Sequence, residues 1–477
     1  GKIELYFNEP SSAGLNSIMN EFWGAWHDVS NNPSDQTARV ALLQQADQFA
    51  GTVQDIDAKM NNLRLSLDNT LEQKVTYVNS LATQIAALNG QIIGYEADGR
   101  VANDLRDRRD ALQSELAQLI NFSVNEQDNG SVALFIDGEA LVWYTQANAL
   151  ALERDYSDEL TIRDIRWEFS GKPVNISSGE IGGVLAARDT IIPAYIQKLD
   201  DLAQGVIEAV NSVHTGGVGL SGFTALSADN AVSSDSEALD GSNSGLAFAP
   251  QDGSFLLHIK NSATNTVSDA TVAFSAGDTL EDLRDAINTA VTAAGGGVTA
   301  SISSHRLNLA HDSANYTFFF SDDNSKVLNS LGLNTFFSGS DASNIAVNAV
   351  VKNSPAMIAA AKYVGGTDTD INPGDNSNAL EIISLRSQAA LADGATFDTF
   401  YNTKLIGALG VEANQATRMR ENQEIIVAQL QTRIDESSGV SLDEEMSNLL
   451  QFQQAYIAAA KYMVVVGQAL DELLRII

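Results

Sequence analysis

Residues 442–477 read LDEEMSNLLQFQQAYIAAAKYMVVVGQALDELLRII, from Leu442 to Ile477. Alternating steps of four and three land on Leu442, Met446, Leu449, Gln453, Tyr456, Ala460, Met463, Gly467, Leu470, Leu474 and Ile477, and only Gln453 and Gly467 lack an apolar side chain. This spacing predicts a helix with one continuous apolar seam, the pattern of helices that bundle. Asp443, Glu444, Lys461, Glu472 and Arg475 lie off the seam, on an outer face that reads as polar or small. Each large seam residue gains about 1.5–3 kcal/mol on full burial. The seam therefore predicts a partner, either other helices or the globular core of its own chain.

Working outward, Ser437-Ser438-Gly439 separates this helix from a helical pattern over 396–434, and Asp393-Gly394 separates that from another over 377–391. At the opposite end, Leu15, Ile18, Met19, Phe22, Trp23 and Trp26 have helical spacing and predict a docking helix. Asn31-Asn32-Pro33-Ser34 supplies a stop and a fresh start. A helical pattern then runs to about Ile93 through Leu43, Val53, Ile56, Met60, Leu63, Leu67, Leu71, Val75, Val78, Ile85, Leu88 and Ile92, with the 4-3 alternation slipping near Lys74. Its length without internal caps predicts a rod or coiled coil. A charged helix follows over 103–120.

The period changes towards two over 122–169, as in Val132-Ala133-Leu134-Phe135-Ile136 and Leu141-Val142-Trp143-Tyr144, with Asp137-Gly138 between them as turn chemistry. Glycines 179, 182 and 183 introduce a helix whose apolar face runs from Leu185 to Val210 and stops at His214-Thr215-Gly216-Gly217. Beyond it, Ser, Gly, Asp, Thr and Ala dominate. Short strands are predicted at 255–259, 271–274, 298–302 and 316–320, with a capped helix at 279–291. Helices resume afterwards, so this α+β unit reads as an insertion.

The predicted fold class is multidomain α+β, an elongated α-helical rod or coiled-coil domain from both chain ends carrying an inserted β-rich outer domain. Residues 1–121 form the first part of the rod, 122–175 an attached small-sheet region, and 176–215 a further rod helix. Residues 216–374 are the inserted outer domain, 375–436 the last part of the rod, and 437–477 the C-terminal heptad helix.

Twenty-eight Lys and Arg stand against 61 Asp and Glu, a formal net charge of -33 spread along all 477 residues. Such a surface repels phosphate backbones and anionic lipid, which argues against nucleic-acid and membrane partners. No stretch approaches the length of a membrane span. Cysteine is absent, which removes disulfides, thiolate metal sites and cysteine nucleophiles, and suits a chain that travels unfolded.

Catalytic patterns are missing from the sequence. The five histidines at 27, 214, 258, 305 and 311 form no HExxH, no hydrolase arrangement stands out in the sequence, and no phosphate-binding loop appears. Asp368-Thr369-Asp370-Ile371-Asn372 begins like a calcium loop, but Pro373 occupies the glycine position and Ala379 the glutamate position. Gly295-Gly296-Gly297 follows a helix and reads as a turn. The reading is that of a non-enzyme without cofactor or metal.

Several strings occur in an order that spans nearly the whole chain. They are Phe7-Asn8-Glu9-Pro10; Asn31-Asn32-Pro33-Ser34 with Ala38-Arg39; Asn103-Asp104-Leu105-Arg106-Asp107-Arg108-Arg109-Asp110; Ser178-Gly179-Glu180-Ile181-Gly182-Gly183; Val210-Asn211-Ser212-Val213-His214; and Gly374-Asp375-Asn376-Ser377-Asn378-Ala379-Leu380. In these the chain resembles the flagellar hook-associated protein 1 family. The ending, Leu442-Asp443-Glu444-Glu445-Met446 with Gln453-Gln454-Ala455-Tyr456 and Ala458-Ala459-Ala460-Lys461, is similar to the C-terminus shared by rod, hook and hook-associated proteins.

The resemblance implies a structural subunit of the secreted, extracellular bacterial flagellum at the junction of hook and filament, exported through the flagellar type III channel. The implied partners are like subunits in a ring or tube, a hook protein below, a second hook-associated junction protein above, and an export chaperone on the C-terminal helix. Leu442, Met446, Leu449, Tyr456, Met463, Leu470, Leu474 and Ile477 are the candidate assembly and chaperone-binding residues. Members of the family begin with a heptad helix that this chain lacks before Gly1, so a truncated chain with a loose last helix is expected. A second junction protein or flagellin-like axial subunit is the alternative within the flagellum; an enzyme or adhesin carried by the insertion is the alternative outside it.

Overall fold

Asp35 caps the longest element of the chain, its side chain accepting from Thr37 N at 2.9 Å. From that cap, in a computed structural model that describes residues 2–156, 160–363, 365, 371–438 and 442–476, helix α3 runs unbroken over Gln36–Glu96. Side chains at 434–438, 442–445, 473 and 476 are outside the description. Helices α1 (Lys2–Phe7) and α2 (Leu15–Asn31) precede α3, and α4 (Asn103–Leu119) follows it. Phe22, Trp23 and Trp26 of α2 are buried as their spacing predicts, with Phe22 stacked on Phe49 of α3 at 5.7 Å between ring centroids.

After α4 come β1 (Ser123–Glu126), β2 (Val132–Ile136), β3 (Glu139–Trp143) and β4 (Gln146–Ala147), an antiparallel sheet in that order, and the β5–β6 hairpin (Leu150–Arg154, Arg163–Trp167). Asp137 and Gly138 both have positive φ, as a tight two-residue turn requires. Leu134, Ile136, Leu141, Val142, Ile165 and Trp167 pack with Leu71, Val75, Val78, Leu81 and Ile85 of α3 and Leu116 of α4 into one core. Helix α5 (Gly179–Ala186) passes through a π-helical turn at Ala187–Ile191 into α6 (Ile192–His214).

The sheet-rich segment holds β7 (Ala225–Ser227), β8 (Gly253–Asn261), β9 (Thr266–Phe274), α7 (Leu280–Ala293), β10 (Val298–Ser303), β11 (Arg306–His311) and β12 (Tyr316–Ser321). Two antiparallel sheets, ordered β12-β8-β9 and β10-β11-β7, share a core in which Leu283, Ile287 and Val291 of α7 meet Phe255, Leu257, Val272, Leu307 and Phe318. The reciprocal capping of Thr279 and Asp282 starts α7.

Short elements follow: α8 (Val327–Leu331), β13 (Phe337–Ser338), β14 (Ala346–Val347) and α9 (Ala349–Asn353). They were not legible as elements in the sequence. Phe336 and Phe337 do not join the two-sheet core. Their rings lie 5.0 Å from Trp26 and 5.6 Å from Phe22, respectively, inside the helical body.

Helix α10 (Ser377–Ser384) is shorter than the predicted 377–391. The chain leaves the helix after a 3-10 turn at Leu385–Ser387, and Leu391 then packs so closely on Gly205 of α6 that a Cβ there would lie 2.1 Å from Leu391 Cδ2. Helix α11 (Phe397–Thr399) continues through a π-helical segment, Phe400–Gly407, into α12 (Ala408–Ser438), and α13 (Leu442–Ile476) ends the chain. Gly1–Ala408 and Leu409–Ile477 are separate units. The calcium-like stretch falls partly outside the described residues, at 368–370.

Candidate assembly interface

Helix α13 is continuous over Leu442–Ile476, without a break at Gly467, because a single interior glycine costs a helix only about 1 kcal/mol. Along it Met446, Leu449, Tyr456, Met463, Leu470 and Leu474 are between 55% and 77% exposed. At about 100° per residue they share one stripe. Leu442 begins the helix, but its side chain lies outside the described residues, as does Ile477 altogether.

One expectation about this helix needs correction. Its outer face is not only polar or small: Leu450, Phe452, Ile457, Tyr462, Val464, Val465 and Val466 are exposed as well. Met463 to Val466 are four consecutive apolar residues and therefore circle the whole helix. Reading only the heptad positions hid them; the signal that finds them is the run itself, which has no period. A helix that is apolar all round is built for burial on several sides. Val411, Met419, Ile425, Ile426, Val427 and Leu430 of α12 are exposed too.

The strings quoted above that precede α12 sit in unit 1, where they act as polar clamps. Glu9 Oε1 accepts from Asn16 N and Tyr401 Oη, both at 2.9 Å. Arg39, 1% exposed, donates to Pro33 O at 2.7 Å, Pro355 O at 3.2 Å and Ile358 O at 2.7 Å, and burial lowers its pKa to about 10. Arg106 grips Glu96 through two 2.8 Å bonds, and Arg109 donates to Gly130 O. Gly179 has φ +77°, and a Cβ there would lie 2.5 Å from Leu119 O, so this junction of α4 and α5 admits only glycine. Asn211 Oδ1 accepts from Phe336 N and Phe337 N, both at 2.9 Å, and Asn378 donates to Ala359 O at 2.7 Å.

Charge is buried at one level of α3. Asp68 accepts from Arg188 at 2.7 Å and from Arg163 at 2.8 Å, and Arg64 donates to Arg188 O at 3.1 Å. Arg188 is fully buried, so these bonds replace its hydration. Arg64 and Asp68 occupy inward positions of α3 between Leu63 and Leu71, so polar groups interrupt its apolar face there.

Sequence reading also missed a row of Asp269, His258 and Ser321, on β9, β8 and β12. His258 Nδ1 lies 2.7 Å from Asp269 Oδ1 and Nε2 lies 2.8 Å from Ser321 Oγ. The order is that of a hydrolase triad, but His258 is 2% and Ser321 3% exposed, beneath Phe319 and Tyr363. A substrate carbonyl cannot approach that hydroxyl; the row ties three strands together. Among the described residues there is no carboxylate–histidine group able to hold a metal, and no helix is long and apolar enough to cross a membrane.

The model of the "Flagellar hook-associated protein FlgK helical domain" matches residues 1–227, the "Flagellin hook IN motif" matches 257–313, and the "Flagellar basal body rod FlgEFG protein C-terminal" matches 431–476. Flagellar hook-associated protein 1 of Bacillus subtilis is 25% identical over 99% of this chain and 78% of its own length. Those of Escherichia coli and Salmonella typhimurium are 25% and 26% identical, over 98% and 100% of this chain and 81% and 83% of theirs.

The chain belongs to the flagellar hook-associated protein 1 family.

Its fold is similar to the flagellar hook junction protein FlgK from Burkholderia pseudomallei, with a TM-score of 0.59 and 16% identity, over 92% of this chain and 96% of that one. As a flagellar hook-associated protein it is a structural component of the flagellum and serves motility. Most strings that carried the resemblance fall within 1–227, and the terminal one within 431–476.

Proposed function

We propose that this subunit forms the hook–filament junction by helical bundling after type III export. The observation that carries the reading is the surface of α13, whose apolar side chains stand in solvent and, at Met463 to Val466, face every direction. A lone helix with this surface is unstable against association. A ring or tube of like helices buries it on several sides at once, and an export chaperone buries it beforehand in the cytoplasm. A hook protein below and a second hook-associated junction protein above complete the set of partners.

In this reading Leu442, Met446, Leu449, Tyr456, Met463, Leu470, Leu474 and Ile477 are the assembly and chaperone-binding residues. The C-terminal segment 437–477 forms the inner tube. Residues 1–121, 176–215 and 375–436 form a rod domain, with the sheets of 122–175 attached, and the two-sheet part of 216–374 forms the outer domain of the secreted subunit, its stretch 334–359 lying within the helical body. Immunogold labelling of flagellated cells tests the location: a short zone of label at the hook–filament boundary is expected, and label along the filament sinks the proposal.

A further inference from the structure

Residues 334–359 leave the sheet-rich segment and cross the helical body as a strap fastened along α6. His214, at the end of α6, holds both roots of the strap. Its Nδ1 lies 2.7 Å from Asn334 O, and its Nε2 accepts from Ala359 N at 2.9 Å. A ring nitrogen that accepts carries no proton, so Nδ1 holds the single proton and the buried imidazole is neutral. Four turns earlier on the helix, Asp200 Oδ1 accepts from Ala342 N at 3.0 Å and holds the distal turn of the strap.

The charged groups around the two fasteners differ. Asp200 faces Asp341 of the strap, Asp57 of α3 and Asp201 of its own helix. Asp341 is itself held by Ser340, Ser343 and Asn344, so it stays charged, and its carboxylate cannot turn away from Asp200 without losing those bonds. His214 faces the Arg39 guanidinium, whose own donors are committed to Pro355 O and Ile358 O of the strap.

We propose that α6 carries a two-ended pH latch on this strap, in which protonation of Asp200 tightens the distal turn while protonation of His214 releases the roots. A neutral Asp200 carboxyl removes repulsion from Asp341 and Asp57 and keeps an oxygen for Ala342 N. An imidazolium at 214 sets N–H against the N–H of Ala359 beside a second cation, Arg39. Because the strap ties the sheet-rich segment to the helical body, the latch sets how firmly that segment is held at a given acidity.

Burial pushes Asp200 up to about 6, with the Ala342 bond opposing and the neighbouring carboxylates adding to the rise. Burial pushes His214 down to about 4, against the bond to Asn334. The folded chain therefore takes up the Asp200 proton before the unfolded chain does, and the turn gains stability as pH falls through about 6. His214 contributes its stability above the ordinary histidine range and loses it as pH falls towards about 4.

Hydrogen–deuterium exchange of the whole chain between about pH 7 and pH 4, with each rate divided by the intrinsic rate at that pH, tests this. Opening at Ala342 is expected to fall several-fold on acidification, and opening at Ala359 to rise by roughly a hundredfold towards pH 4. Asp200→Asn flattens the first response. His214→Gln, whose amide supplies one donor and one acceptor without titrating, flattens the second. Responses of the same sign at both amides, or a variant that keeps the wild-type pH dependence, overturn the latch. Should His214→Gln not fold, the opposed wild-type responses and Asp200→Asn still decide.

Discussion

Asn89 of α3 and Val132 of β2 exchange two hydrogen bonds, Nδ2 donating to Val132 O at 2.8 Å and Oδ1 accepting from Val132 N at 3.1 Å. The same Nδ2 donates to Tyr144 O at 2.8 Å, across a turn in which Tyr144 has φ +54°. A fully buried amide on a helix thus completes the start of β2 and holds a strained turn. Asn89→Ala takes its side-chain partner from the buried N–H and C=O of Val132 and from the part-buried Tyr144 O. A loss of about 3 kcal/mol in urea unfolding is expected, and a change within error would mean the sheet holds itself.

The Asp68–Arg188 pair separates two costs. Asp68→Ala strands the fully buried Arg188 with Asp189 as its remaining carboxylate partner, and a loss of about 3 kcal/mol is expected. Asp68→Leu combined with Arg188→Met removes both charges and is expected to recover most of that loss. Chemical denaturation of both variants checks this; equal losses would show that the charges themselves hold the junction.

Glu96 reports on the tip of α3. Its bonds to Arg106, and then that from Ala102 N, hold its carboxyl down at about 2. A depressed carboxylate contributes stability above its ordinary range and loses it as pH falls through the folded value. Carboxyl NMR is expected to place the Glu96 midpoint near pH 2 in the wild type, and Arg106→Gln to move it upward. An unmoved midpoint would assign the shift to the backbone.

Two deletions distinguish a detachable outer segment from a structural one. Asp229 N donates to Gly332 O at 3.4 Å, so removing 230–331 joins neighbours and leaves the strap in place. Removing 222–350 also takes away Phe336 and Phe337 and uncovers Phe22 and Trp26. The shorter deletion is expected to melt cooperatively and the longer one to melt at least about 10 °C lower or to aggregate. Similar melting would show that the strap contributes little to the helical body.

Leu449→Asp and Leu474→Asp place a charge on the α13 seam without touching unit 1. Incorporation into flagella and chaperone capture are expected to fall below detection, with the thermal melt of unit 1 unchanged. Normal filaments on either variant would remove the seam from the assembly surface.

Much of this molecule is short-range and therefore legible in the chain. The helical periods gave α2, α3, α4 and α13 to within a few residues, Asp137-Gly138 marked its hairpin, and the cap at Thr279 marked the start of α7, whereas the one helix read through Leu185 to Val210 is divided into α5, a π-helical turn and α6. Each depends on residues within a turn or two of one another. The family was legible in the same way, through strings of four to eight residues whose order along the chain is itself information.

What the tertiary structure decided is which distant groups meet. Nothing near Phe336 says that it belongs beside Trp26 rather than in the sheets preceding it, and nothing near Asp68 says that Arg163 and Arg188 will cover it. The Asp269–His258–Ser321 row spans three strands, and the burial of His258 and Ser321, which removes the row from chemistry, is a property of the closed sheet. The seam of α13 shows the boundary between the two. Its sequence alone states that apolar surface must be covered, because that follows from composition and period; what covers it lies with partners, since burial is a property of the assembly and not of the helix.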